Sequence, residues 1–270
     1  MKKNRRSGFT LVEVSLFLAI SGLLLAGIIA GTQSSIRAQR FKDSVQNYAE
    51  FLRSVYSEVG NPQSPGDGRS NYSIYGRLVT FGQSTRPDGT SIPNNEQRIY
   101  VYDVIGGGDN IGTTSVVNAL STANASVVFE NKNSSGTIIS VTLAGNVREY
   151  TPTWGASIDS TTNGSPYTGS ILIVRHPKSG AISTLVSSRV IQVNRTVVDA
   201  NNSKNFSPAT KILKDNLSSF AAAEVNFCVN PNGPNFTADV RRNVRIISGA
   251  RNASGVDLIN QDDANNKCLK

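Results

Sequence analysis

The first 31 residues read MKKNRRSGFTLVEVSLFLAISGLLLAGIIAG, a short basic head followed by a continuous apolar run. Four basic residues precede the run, and between positions 9 and 31 only Glu13 carries a charge. Because a helix rises about 1.5 Å per residue, this run spans about 34 Å, enough to cross the hydrocarbon core of a bilayer. The run therefore predicts a transmembrane helix. The basic head predicts that its N-terminal end stays cytoplasmic and that the rest of the chain is exported.

A conventional secretory signal is the alternative interpretation, since it also has a basic head and an apolar core. Such a signal has a core of about 7 to 15 residues and ends at a small-x-small cleavage site. The run here is longer, and residues 28–31 offer no good match to that site. Glu13 is a second difference, because a carboxylate near the start of a membrane segment is costly unless it finds a partner.

The sequence GFTLVE at residues 8–13 resembles the processing site of type IV prepilins and type II secretion pseudopilins. In that family a membrane aspartyl peptidase cuts after the glycine and methylates the new N-terminal residue. The resemblance implies a leader peptide at residues 1–8, cleavage after Gly8 and a mature chain that begins at methylated Phe9. It also implies a structural subunit, made as a prepilin, whose partners are the prepilin peptidase, other pilin or pseudopilin subunits and an inner-membrane assembly platform.

Processing would place a cationic amine at Phe9, four residues before the Glu13 carboxylate and within or beside the membrane. Each charge is costly there alone, and a pair compensates both. The resemblance implies that the pair forms between neighbouring subunits, so that Glu13 fixes the axial stagger of packed helices. Gly27 and Gly31 form a small-xxx-small pair that permits close helix packing, although glycine is common in any membrane helix.

Beyond position 31 the sequence turns polar but predicts a continuing helix. Apolar residues recur at alternating spacings of three and four, which gives one apolar stripe on an amphipathic helix: Ala38, Phe41, Val45, Tyr48, Leu52, Val55 and Val59. The tripeptide Gly60-Asn61-Pro62 is a helix stop signal. The stripe lasts only about three heptads before β-rich sequence begins, so packing against a sheet is favoured over a free coiled coil.

The remainder of the chain predicts an antiparallel sheet or sandwich, because its strand-like runs are short, rich in β-branched residues and separated by Gly, Asn, Ser and Pro. These runs lie at 72–75, 77–81, 98–105, 126–129, 137–143, 147–150, 171–174, 182–186, 190–193, 224–228, 238–240 and 244–247. Residues 211–223 predict a short helix, and residues 106–124 and 153–170 predict long loops.

The fold class is therefore α+β, a long N-terminal helix packed on an antiparallel β-rich head, as in pilins. The predicted organisation is a leader at 1–8, a transmembrane or filament-core helix at 9–31, an amphipathic helix at 32–61 and a head at 62–270. Two β-subdomains within the head remain open. A mature chain of about 262 residues without a kink-forming proline in its helix favours a minor pilin or pseudopilin over a major pilin.

The formal net charge of +8 includes the four basic residues of the head, and without them 23 basic residues face 19 acidic ones. The small positive charge that remains favours a mildly basic soluble surface over a nucleic-acid partner. One local cluster, Arg241, Arg242 and Arg245, supports an alternative hypothesis of a pilus-associated subunit that binds DNA for uptake. On a strand, Arg241 and Arg245 share one face and Arg242 lies on the other, so charges that discourage edge-to-edge aggregation are the competing interpretation.

Cys228 and Cys268 are the two cysteines of the chain. In an exported protein such a pair predicts a disulfide, and two free buried thiols are the alternative. His176 is the single histidine and, next to Pro177, is predicted to be a surface turn residue. One histidine supports no multi-histidine metal site, and no phosphate-binding loop occurs. We therefore expect neither an enzyme nor a bound metal or cofactor.

Overall fold

The computed structural model describes residues 10–61, 73–93, 96–107, 115–132, 134–135, 138–143, 145, 147–161, 164–176, 179–193, 212–231, 241–260, 263–264 and 266–268. The chain divides into two compact units, Met1–Asp43 and Ser44–Lys270. A long N-terminal helix and a β-rich head make up these residues, which confirms the α+β, pilin-like fold class.

Helix α1 (Leu11–Gly60) contains the apolar run. From Leu11 to Ile36 its large apolar side chains are 47% to 86% exposed. Among the described residues it is the one helix long and apolar enough to cross a membrane, and its most apolar stretch is not buried. Exposed apolar area on this scale marks a surface for lipid or for other protein.

From Ser44 onward α1 belongs to the head unit, and the predicted stripe is buried over most of its length. Ala38 is exposed, whereas Phe41, Val45, Tyr48, Leu52, Val55 and Val59 are buried. The Tyr48 ring lies 5.9 Å from Tyr150 and 5.5 Å from Phe227, measured between centroids. The helix ends at Gly60, at the predicted stop signal.

The described strands and shorter helices follow in chain order. They are β1 (Ser73–Phe81), β2 (Ile99–Gly106), α2 (Val116–Thr122), β3 (Val128–Lys132), β4 (Ile138–Leu143), β5 (Arg148–Tyr150), β6 (Ser157–Ser160), β7 (Gly169–Arg175), β8 (Ile182–Ser187), α3 (Ile212–Asn216), β9 (Val225–Asn230), β10 (Arg242–Ile246) and β11 (Val256–Ile259). They form a five-stranded sheet in the order β5-β2-β1-β7-β8, a four-stranded sheet in the order β11-β10-β9-β6 and the two-stranded ribbon β3-β4. Neighbouring strands are antiparallel throughout these sheets.

Strand β1 is central to the larger sheet and contains a register shift between Ile74 and Gly76. A Cβ atom on Gly76 would lie 2.2 Å from the carbonyl oxygen of Ile173 on β7. Only glycine fits this close backbone approach, which is typical of glycine in a strand. The sequence pattern predicted two strands here, and the structure shows one strand with a bulge.

Two cores flank the larger sheet because its side chains alternate between faces. Towards α1, Tyr48 and Phe51 stack near Tyr150 at the end of β5. On the opposite face, a buried cluster joins strand residues to α2, α3 and the turn that follows α3; its members include Leu78, Tyr102, Leu172, Leu120, Leu213, Leu217 and Phe220. The larger sheet is therefore the middle layer of the head.

A hydrogen-bond relay ties α1 to both sheets. The Tyr56 and Thr184 hydroxyl oxygens are 2.7 Å apart, and the Thr184 hydroxyl donates to the Ala250 carbonyl, also at 2.7 Å. Since a hydroxyl has one hydrogen to donate, Tyr56 donates to Thr184. Burial raises the pKa of Tyr56 to about 12. On the second sheet, the Arg53 side chain donates to the Val256 carbonyl at 3.0 Å.

An ion-pair network holds the C-terminal end of α1 against the larger sheet. Arg77 on β1 pairs with Glu58 of α1 at 3.2 Å and with Asp103 on β2 at 2.7 Å. Arg148 on β5 pairs with the other oxygen of Glu58 and lies over the Phe51 ring. Burial raises the pKa of Asp103 from its usual value, against the opposing effect of Arg77.

Several local predictions were wrong. Helix α2 and strand β6 lie inside segments that were predicted as loops, and strand β11 was missed. Residues 190–193 are not a strand, and the helix predicted at 211–223 is shortened to α3 and a 3-10 turn, Leu217–Ser219. The strand predicted at 238–240 lies outside the described residues.

Candidate assembly site

Thr10 and Glu13 cap the N-terminal end of α1. Oε2 of Glu13 accepts hydrogen bonds from the Thr10 backbone N–H at 2.8 Å and from the Thr10 hydroxyl at 3.0 Å. In return, the Thr10 hydroxyl oxygen accepts from the Glu13 backbone N–H at 3.3 Å. This reciprocal arrangement is a capping box, which satisfies backbone N–H groups that the first helical turn leaves unpaired.

This capping role of Glu13 was not predicted, although Thr10-Leu11-Val12-Glu13 fits the capping-box pattern of Ser or Thr followed three residues later by Glu. The carboxylate also lies at the positive end of the helix dipole, which favours an anion. The Oε1 atom of Glu13 accepts no hydrogen bond from the described residues. Capping thus leaves one carboxylate oxygen for a donor from elsewhere.

The surroundings of this carboxylate are exposed and apolar. Leu11 is 86% exposed and Val12 is 72% exposed. A Cβ atom added at Gly22, Gly27 or Gly31 would meet nothing within 4 Å. Gly22 lies on the opposite side of the helix from Gly27 and Gly31, so within the described residues more than one side of this helix is open to other molecules. Gly8 and Phe9 lie outside the described residues, so cleavage and methylation there stay predictions.

A comparison with known families decides which class of segment this is. The family model for the prokaryotic N-terminal methylation motif matches residues 3–29. The chain carries a prepilin-type methylation motif. This prepilin motif is the hallmark of type IV pilins and pseudopilins, and it supports a pilin-like or pseudopilin-like structural subunit that is anchored in a membrane. No curated protein and no solved structure matches the chain.

The arginine cluster lies on and beside β10, far along the chain from the prepilin motif. Arg245 pairs with Asp257 on β11 at 2.8 Å, so its charge is already compensated. Arg242 lies opposite Val229 in the strand register, whereas Arg245 lies opposite Asn226. The two side chains consequently point to different faces of the sheet. DNA contact by Arg241, Arg242 and Arg245 stays a prediction.

The predicted disulfide is present. Cys228 in β9 is bonded to Cys268, with Cα atoms 5.5 Å apart, and both residues are buried. Lys267 adds an exposed ion pair with Glu224 at 2.7 Å. These contacts attach the C-terminal segment to the four-stranded sheet.

The head offers little for catalysis within the described residues. No group of three or more His, Cys, Asp or Glu side chains there could hold a metal ion. His176 lies in the turn between β7 and β8, but it is only 7% exposed, so its assignment as a surface residue was wrong. Its Nδ1 accepts from the Ser179 backbone N–H at 3.2 Å, which gives the ring a structural role in the turn.

Proposed function

We propose that this protein is a minor pilin or pseudopilin, processed after Gly8 and built into a type IV pilus or type II secretion filament through its N-terminal helix. The observation that carries the proposal is the methylation motif at residues 3–29. It coincides with a helix whose apolar side chains are exposed from Leu11 to Ile36. Such a helix can be stored in a bilayer and then packed against copies of itself or related helices.

Glu13 supplies the polar contact in this assembly. Cleavage after Gly8 creates an amine at Phe9. Oε1 of Glu13, which has no hydrogen-bond donor among the described residues, is a suitable acceptor for the amine of an adjacent subunit. In an apolar filament core the attraction between the two charges is strong and each unpaired charge is costly. The pairing therefore favours one axial offset between neighbouring helices over others.

The head is the exported part of the proposed subunit. Before processing, the basic N-terminus lies in the cytoplasm and the head on the extracytoplasmic side. The disulfide supports this location, because such bonds persist in oxidising compartments. The proposed partners are the prepilin peptidase, an inner-membrane assembly platform and other pilin or pseudopilin subunits.

Mass spectrometry of the N-terminus tests the processing step. Protein recovered from native membranes or from sheared filaments should begin at Phe9 and carry one methyl group on its amine. The Gly8→Leu variant should retain Met1 and stay out of filaments, whereas Ser7→Ala, the neighbouring leader change, should be processed normally. Retention of Met1 in the unaltered protein, or cleavage near Gly31, would show that the proposal is wrong.

A further inference from the structure

The single tryptophan of the chain, Trp154, lies on the surface of the head. It is part of the 3-10 turn Thr153–Gly155, just before β6. Its contacts within the chain leave 60% of its surface exposed. Among the described residues of the head no other large apolar side chain is as exposed, and Leu258 follows at 40%. Tryptophan is the side chain most often found at the centre of a protein interface, so this position is a candidate contact.

The backbone of Trp154 is also unusual for a large side chain. Its φ is 57° and its ψ is 28°, in the left-handed region. Asn124 is the one other non-glycine residue with a positive φ in the described part of the chain, and asparagine tolerates this region far better than tryptophan does. Strained residues of this kind are concentrated at functional sites. Glycine would fit the turn without strain, so the turn itself gives no reason for an indole.

The turn is held in place by α1 and by its own backbone. The Thr153 carbonyl accepts hydrogen bonds from the Ser44 hydroxyl and from the Ala156 backbone N–H, both at 3.1 Å. Ser44 is buried, and Pro152 restricts the chain before the turn. Trp154 is thus presented on a fixed support, and a side chain on such a support loses little conformational freedom when it binds.

The sequence of α1 places this turn outside the hydrocarbon layer of a membrane. Between Ile36 and Ser44 the helix carries four charged residues, Arg37, Arg40, Lys42 and Asp43. Charged side chains are costly within hydrocarbon, so lipid tails are not expected to cover Trp154. Apart from the head, the exposed large apolar side chains of the described chain lie on α1, from Leu11 to Ile36. This apolar helix is the surface that matches an exposed indole in chemistry.

We propose that Trp154 docks against the apolar half of α1 of an adjacent subunit in the filament. This inference rests on the proposed function, in which Glu13 meets the Phe9 amine of a neighbour. When these two groups lie at the same level, one helix is displaced by four residues toward the head of the other. Ile36 of the displaced subunit then lies one helical turn, about 5.4 Å, before the level of Ser44. The indole beside Ser44 is long enough to bridge that turn.

Photo-crosslinking from position 154 identifies what covers this residue. The full chain with Trp154→p-benzoylphenylalanine is expressed in its own cells, and sheared filaments are irradiated and analysed by mass spectrometry of cross-linked peptides. We expect cross-links to residues 11–36 of this chain or to the corresponding helix of another subunit. The matched control places the same photoreactive group at Ile247, an exposed apolar residue after β10, and should give few such cross-links.

A glycine substitution separates a role in docking from a role in folding. Trp154→Gly relieves the backbone strain, so its urea midpoint, followed by circular dichroism, should equal or exceed that of the unaltered protein. Its amount in sheared filaments should nevertheless fall at least about fivefold, as is typical when an interface tryptophan is truncated. Trp154→Phe should retain more of the protein in filaments than Trp154→Gly does. Ile247→Ala is the surface control and should be incorporated normally.

Several outcomes would overturn the docking site. Cross-links from position 154 to lipid or to the head of a neighbour, or no cross-links at all, would each do so. Normal incorporation of Trp154→Gly would do the same, and so would a fall in its urea midpoint that parallels the loss from filaments. If the unaltered protein is absent from sheared filaments, both the proposed function and this inference are wrong. An incorporated protein without cross-links to a helix contradicts this inference alone.

Discussion

The Glu13 carboxylate uses Oε2 to cap its own helix and leaves Oε1 without a partner among the described residues. Two roles therefore compete for the same side chain. Capping requires an acceptor at this position, and the side-chain oxygen of glutamine also supplies one. Pairing with an amine in an apolar environment requires a negative charge. The two roles can be separated by a single amide substitution.

We predict that Glu13→Gln keeps the first turn of α1 and loses assembly. The variant should be inserted and processed normally but should be reduced in sheared filaments about as strongly as Glu13→Ala. Glu50→Gln is the matched control, because Glu50 is an exposed carboxylate on the same helix, and it should assemble normally. Quantitative immunoblots of membranes and filaments measure both pools. Normal incorporation of Glu13→Gln would reduce Glu13 to a capping residue.

At the scale of elements, the two hydroxyl groups of the Tyr56–Thr184–Ala250 relay should differ in how much their removal destabilises the fold. Removal of the Tyr56 hydroxyl leaves Thr184 free to keep donating to Ala250. Removal of the Thr184 hydroxyl leaves both the Tyr56 hydroxyl and the Ala250 carbonyl without the hydrogen bond that each makes to Thr184. An unpaired buried polar group costs about 1–3 kcal/mol, more than the net value of a typical hydrogen bond.

We predict that Tyr56→Phe lowers the free energy of unfolding by about 1 kcal/mol and that Thr184→Val lowers it by about 2–4 kcal/mol. The Tyr56→Phe/Thr184→Val double variant has no unpaired tyrosine hydroxyl. Its loss of unfolding free energy should therefore be smaller than the sum of the losses of the two single variants. Urea unfolding of the detergent-solubilised protein, followed by tyrosine and tryptophan fluorescence, gives the three values. The relay would be contradicted if the losses of the single variants added exactly to that of the double variant. A larger loss for Tyr56→Phe than for Thr184→Val would also contradict it.

Asp103 gives the network at the end of α1 a characteristic pH dependence. Its pKa is raised by burial, so the folded state binds the proton more tightly than the unfolded state does. The contribution of Asp103 to stability therefore rises as pH falls from neutrality through the raised pKa toward the ordinary value of 3.8. Arg77 opposes this shift without reversing it.

We predict that the unfolding free energy of the unaltered protein, relative to Asp103→Asn, increases between pH 7 and about pH 4. Asp88→Asn is a control of opposite sign, because hydrogen bonds from Thr90 lower the pKa of Asp88 and favour its charged form. Relative to that variant, the unaltered protein should lose stability as pH falls. Urea titrations at several pH values measure both differences. A difference for Asp103 that does not change with pH would contradict the prediction.

The elements of this fold differ in how far the sequence determines them. Helix α1 was predictable because its stripe has a sustained helical period and its stop signal is local. The bulge at Gly76 was not, because only the neighbouring backbone of β7 shows why glycine is required there. Strand β6 was taken for loop because its four residues, SIDS, have too little apolar pattern. The capping box was predictable from the spacing of Thr10 and Glu13, because Ser or Thr followed three residues later by Glu is its local sequence pattern.

At the scale of the whole molecule, each unit has its own source of stability. The unit Met1–Asp43 exposes the apolar side chains of α1, which under the proposed function are covered by lipid or by other subunits. The unit Ser44–Lys270 has its own buried cores and a disulfide near its C-terminus. A subunit that is moved from a membrane into a polymer can therefore change the environment of its helix without unfolding its head.

The disulfide should contribute substantially to the stability of that head. Cys228 and Cys268 are 40 residues apart, and the loop that they close contains β10 and β11. Loop-closure entropy alone predicts about 4 kcal/mol, and native disulfides in small exported domains contribute about 2–5 kcal/mol. We predict a loss in this range for Cys228→Ser/Cys268→Ser, measured by urea unfolding, and a similar loss for the unaltered protein under reducing conditions. Lys267→Gln removes only the exposed ion pair with Glu224 and should cost less than about 1 kcal/mol. If Cys228→Ser/Cys268→Ser were as stable as Lys267→Gln, the C-terminal segment would be held by its packing and not by the covalent bond.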